Sequence, residues 1–106
     1  MTRQLIFTDE AAGQLEQISK NPAKTGLYKQ LQKTLGLMET NLRHPSLNTH
    51  EYSSLKGPNG EKIFEAYVQN NTPGAYRVFF YYGPDIVLKG KRTPALTVLM
   101  IVAHPK

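Results

Sequence analysis

The sequence predicts a small α+β domain: an N-terminal strand, a two-helix hairpin, then a three-stranded antiparallel meander in one twisted sheet. Three observations carry this. Apolar residues recur at helical spacing only in the first half of the chain, over residues 9–42. From Ile63 onward they come instead in runs of strand length, dense in β-branched and aromatic side chains. A chain of 106 residues has room for one core and not two, so residues 1–106 form a single domain whose helices and strands share it.

The elements follow in order. Gln4 to Phe7 is short and apolar, a strand expected to join the same sheet as the later ones. Thr8 has the chemistry of an N-cap, and Asp9 and Glu10 place acid in a first helical turn, where the helix dipole favours it. Ala11, Leu15 and Ile18 share one face of that helix, which Asn21-Pro22 ends. A second helix is expected from Thr25 to Leu42, because Leu27, Leu31, Leu35, Met38 and Leu42 form one apolar stripe. A stripe of this kind is core. Arg43 to Gly60 reads as a polar connection holding Leu55-Lys56-Gly57. Strands are expected at Ile63 to Val68, Ala75 to Tyr82 and Leu96 to Ala103. The link Gln69 to Gly74 makes the first two a hairpin. The link Gly83 to Pro94 has room for a short strand at Ile86 to Leu88.

Composition narrows the function. The absence of cysteine excludes a disulfide framework, a thiolate metal site and a Cys nucleophile. No run approaches membrane length and no signal-peptide core is evident, so a cytoplasmic protein away from membranes is expected. Thirteen basic residues against 8 acidic ones give a formal charge of +5, which favours a polyanion or an acidic protein as partner. Lys20, Lys24, Lys29 and Lys33 come without an intervening acid, as do Lys89, Lys91, Arg92 and Lys106. On the helices such lysines are first of all a solvated face.

Strand alternation sorts the side chains. Phe64, Ala66 and Val68 belong with Tyr76, Val78, Phe80 and Tyr82 under the helices. Glu65, Tyr67, Arg77, Phe79 and Tyr81 fall on the opposite face, expected open to solvent because a mid-strand arginine is costly to bury without partners. Lys56 and Lys62 lie at the approach to that face, and His104 follows the last strand. Cations among rings on a sheet face suit single-stranded RNA, whose bases stack while its phosphates meet the cations. The plainer alternative is a Glu65–Arg77 cross-strand pair packed among aromatics.

The segment from Leu42 to His104 resembles the RelE/ParE toxin superfamily. The resemblance rests on Leu55-Lys56-Gly57, then Ile63-Phe64-Glu65-Ala66-Tyr67-Val68, then Ala75-Tyr76-Arg77-Val78-Phe79-Phe80-Tyr81, then Leu96 to His104, with a two-helix hairpin ahead. It implies the toxin of a bacterial type II toxin–antitoxin system, held inactive by a cognate antitoxin in a hetero-oligomer. RelE-like members cut mRNA on the ribosome; ParE-like members inhibit DNA gyrase. Arg77 matches the arginine that meets the scissile phosphate, Lys56 matches a basic position beside the Leu-x-Gly turn, and His104 stands near a further catalytic position. The sequence departs from RelE itself, with Glu65-Ala66-Tyr67 where catalytic lysines stand and no counterpart of its terminal tyrosine. Other members use a glutamate base and a histidine.

On that plan the enzyme is a metal-independent, ribosome-dependent mRNA endonuclease needing no cofactor. Glu65 is the base, Arg77 the phosphate ligand and His104 the acid, while Lys56, Lys62, Tyr67, Tyr81, Lys89, Lys91 and Arg92 bind RNA. His44 and His50 match no metal-ligand spacing with His104. The alternatives are a non-enzymatic gyrase inhibitor, or a member that binds RNA or antitoxin without cutting.

Overall fold

The computed structural model describes residues 2–70 and 74–103. β1 (Gln4–Phe7) opens the chain and Thr8 caps α1 (Asp9–Lys20). The Thr8 hydroxyl accepts the Ala11 N–H at 3.1 Å and donates to the Leu99 carbonyl at 2.8 Å, so one side chain starts the helix and ties it to the last strand. Asn21 caps a 3-10 turn, Pro22–Lys24, whose proline stands where no N–H is needed. α2 (Thr25–Thr40) follows directly. It stops short of the expected Leu42, because Asn41 leaves helical geometry; Leu42 still packs on the core from outside the helix.

Six more strands follow: β2 (His50–Lys56), β3 (Lys62–Tyr67), β4 (Tyr76–Tyr82), β5 (Ile86–Leu88), β6 (Lys91–Thr93) and β7 (Ala95–Ala103). Among the described residues, five strands form one mixed sheet in the order β1-β7-β4-β3-β2, and β5 and β6 form a separate hairpin. The α+β class and the antiparallel run β3-β4-β7 are as expected, and β1 does join the sheet, parallel to β7. The connection at 43–60 is a correction: it holds a 3-10 turn, Pro45–Leu47, and then β2, an edge strand. Its hydrophobic pattern is weak because the register shifts between Glu51 and Lys56. Tyr52 and Leu55, an odd number of residues apart, both pack on the same cluster.

The helices lie on one sheet face. Ala11, Ile18, Leu31, Leu35 and Met38 pack against Ala66, Val78, Phe80, Leu96, Val98 and Ile101. Thr34 of α2 donates to the Tyr67 carbonyl, and Gln14 of α1 accepts the Ile101 N–H. β7 is apolar on both faces because it sits between β1 and β4 and is covered on each side. Leu99 is an extra residue in it: Phe79 opposes Met100 while Phe80 opposes Val98.

The other face is not open, which corrects the second expectation. Ile63, Phe79 and Tyr81 form a second core there, flanked by Tyr52, Leu55, Leu99, Met100 and Val102. The unexpected strand supplies part of the cover: the Tyr52 ring meets Phe79 edge-on at 5.1 Å.

Candidate active site

β3 and β4 set Glu65 opposite Phe79 and Tyr67 opposite Arg77. β2 then brings His50 opposite Glu65. Three neighbouring strands thus assemble His50, Glu65, Tyr67 and Arg77 at one margin of the second core.

Within this group His50 Nε2 lies 2.8 Å from Glu65 Oε1. On its other side, His50 Nδ1 lies 2.7 Å from the Asn48 carbonyl. A carbonyl only accepts, so the Nδ1 side carries a proton, and Nε2 shares its proton position with the carboxyl group. The His50 ring stands edge-on to Tyr67 at 5.8 Å. The Tyr67 ring also takes Arg77, whose guanidinium carbon is 3.6 Å from the ring centroid. Arg77 Nη1 donates to the carbonyls of Gln69 and Tyr76 at 2.5 and 3.1 Å. Its Nε is buried with no acceptor among the described residues.

Burial here departs from expectation. Glu65 is 1% exposed, Arg77 7% and Tyr81 7%. The face was assigned correctly, since these side chains point away from the helices, but β2 and the rings around Phe79 shield them from water. Arg77 tolerates this because a π face and two carbonyls replace its hydration. Tyr81 lies in the second core and presents no open ring for a base. The group opens to solvent through His50, whose side chain is 43% exposed, and through half-buried Tyr67.

The expected basic residues stand elsewhere. Lys56 and Lys62 are register partners, both exposed, beside the turn joining β2 and β3. That is about 10 Å along β3 from Glu65, at a strand rise of about 3.4 Å per residue. Lys89, Lys91 and Arg92 are exposed on the β5–β6 hairpin, beyond the end of β4 that lies away from Arg77. His104 lies outside the described residues. Among the described residues, no three His, Cys, Asp or Glu side chains are grouped to hold a metal ion. No helix is long and apolar enough to cross a membrane.

The residue that sequence reasoning passed over is His50. In the sequence it is weighed only as a metal ligand, because without β2 nothing connects it to Glu65.

An α+β fold with two helices on one face of a mixed sheet, and a polar group at the margin of the other, defines the structural class. Within that class the chain is similar to the solved structure of a YoeB dimer from Staphylococcus aureus. The likeness covers 99% of this chain and 100% of that one, with a TM-score of 0.57 and 11% sequence identity. At that identity the likeness is one of fold. No family profile matches the sequence, and no curated protein does either.

Proposed function

We propose that the chain is the toxin of a type II toxin–antitoxin pair, and that it is a metal-independent endoribonuclease cutting mRNA on the ribosome. The observation that carries this reading is the His50–Glu65 pair beside the Tyr67–Arg77 stack, on a fold shared with YoeB. A buried carboxylate behind a half-exposed imidazole is an arrangement for moving a proton to and from a surface group.

The RNA's own 2′-hydroxyl is the nucleophile. Its oxygen bonds to phosphorus, the bond from phosphorus to the 5′-oxygen breaks, and a 2′,3′-cyclic phosphate and a free 5′-hydroxyl remain. With its Asn48 contact exchanged for the substrate hydroxyl, His50 takes the 2′ proton at Nδ1 as its Nε2 proton moves toward Glu65. Glu65, the base expected from sequence, acts behind His50 by orienting the ring and sharing the proton. Arg77 stabilises the crowded phosphate, and Tyr67 fixes the guanidinium plane. His104 supplies the proton to the departing 5′-oxygen. Exposed Lys56, Lys62, Lys89, Lys91 and Arg92 hold the RNA backbone. A cognate antitoxin silences the chain in a hetero-oligomer in the cytoplasm.

A translation extract carrying an end-labelled reporter message tests this. The expected result is cutting at defined sites by the wild type and by Lys29→Ala, an exposed position on α2, and none by His50→Ala or Arg77→Ala. An intact message, with translation unaffected, overturns the assignment. One observation favours a second reading: Arg77 is already engaged by two carbonyls, as in a chain that binds without cutting. In the gyrase-inhibiting version of that reading, supercoiling stalls while the message stays whole.

A further inference from the structure

A cavity lies away from the His50–Arg77 group. It opens on the helix side of the sheet, below the end of α2, and has a volume of about 680 Å³. Arg3, Arg43 and His44 line it together with Phe64 and Tyr82, and no carboxylate does. Among the described residues, neither arginine is in an ion pair with an acid. The Arg3 guanidinium carbon instead stands 5.5 Å from the centroid of the Tyr82 ring. That ring is braced edge-on by Phe64 at 5.2 Å, yet Tyr82 remains 46% exposed. Exposed rings of this size are rare on this molecule, and this one forms the wall of a concavity. Asn48 and Thr49 add polar groups to the rim.

We propose that this cavity binds a phosphate-bearing nucleoside, with the base on the Tyr82 ring and the phosphate between Arg3 and Arg43. A planar guanidinium recognises phosphate through paired donors, and a braced, half-exposed tyrosine offers a face to any base. The volume falls in the range of small-ligand sites and admits one nucleotide. The two sites lie on opposite faces of one sheet and meet at Asn48, which stands at the cavity rim with its carbonyl against His50; Arg77 and its partners share no residue with the cavity, so occupancy here is independent of Arg77.

The test is calorimetric titration of the full chain with AMP, adenosine and inorganic phosphate at low and moderate salt. AMP binds, more weakly as salt rises, while adenosine and phosphate each bind at least about fivefold more weakly, as loss of one anchoring group requires. Arg43→Ala, at an exposed position that leaves folding intact, weakens AMP by at least about fivefold, and Tyr82→Ala does the same. Tyr82→Phe keeps the affinity, which separates loss of the ring from loss of the hydroxyl. Arg77→Ala leaves it unchanged. No heat with AMP at millimolar concentration, equal affinity for adenosine, or AMP affinity that depends on Arg77 overturns the proposal.

Discussion

The His50–Glu65 pair makes a prediction that reaches both stability and function. A hydrogen bond contributes about 0.5–1.5 kcal/mol between neutral groups and about 1.5–3 kcal/mol when one partner is charged. Glu65 is 1% exposed and the His50 side chain 43%, so the pair sits between those limits. A coupling of about 2 kcal/mol follows, reduced from the fully buried case because water reaches the imidazole. The perturbation is a double-mutant cycle of His50→Ala, Glu65→Gln and the two combined, read by urea unfolding at neutral pH. His50→Ala alone is expected to be the costlier change, because it takes a partner from a buried carboxylate, whereas Glu65→Gln leaves a neutral group of the same shape. The same variants enter the message-cleavage assay, where His50→Ala should slow cutting by about 10²–10⁴-fold. A coupling below about 0.5 kcal/mol, the ordinary limit of additivity for unconnected sites, together with undiminished cutting, refutes the reasoning on both counts.

Other consequences are simpler. Phe79→Ala removes a fully buried ring from the centre of the second core and its edge contact with Tyr52, so it should cost about 3–5 kcal/mol in chemical denaturation. Tyr52→Ala should cost less but open the face, which enhanced exchange of the Phe79 amide would register. Thr8→Ala loses both the helix cap and the bond to Leu99, for about 1–2 kcal/mol, and Thr8→Ser should restore most of it. At the turn after β2, the Asn59 N–H and Glu61's own N–H hold the Glu61 carboxyl below its ordinary pKa, partly opposed by slight desolvation. A depressed carboxyl stabilises the turn above its unfolded pKa and ceases to do so as pH falls through the folded one. The Asn59 amide shift should therefore titrate on the acid side of the usual glutamate range. Glu61→Gln abolishes that titration, and so should Gly57→Ala, whose new methyl group would occupy the place of the carboxylate.

The elements with strong local signals were legible in the chain. Thr8 with its acidic neighbours marks the start of α1 wherever that helix packs, and the leucine stripe of α2 can face only a core. Alternation in β3 and β4 assigned each side chain to the correct sheet face, because a strand has two faces and Ala66, Val78 and Phe80 admit one choice. Strand alternation does not tell what lies over a face. Glu65, Arg77 and Tyr81 fall on the side expected and not in water: Glu65 lies behind His50 of an edge strand, Tyr81 within the second core, and Arg77 against the Tyr67 ring and two carbonyls.

The site divides in the same way. Sequence alone put Tyr67 and Arg77 on adjacent strands of one hairpin, since their register depends on local alternation and a nearby turn. Only the tertiary structure brought in His50, fifteen residues before Glu65 across a bulged pairing, and only it separated the lysines of the β5–β6 hairpin from the Arg77 end of β4. Covalent spacing governs neighbours within a hairpin. What covers a sheet, and which distant side chain meets a buried carboxylate, is decided by long-range packing that pays for itself only once the whole chain has closed.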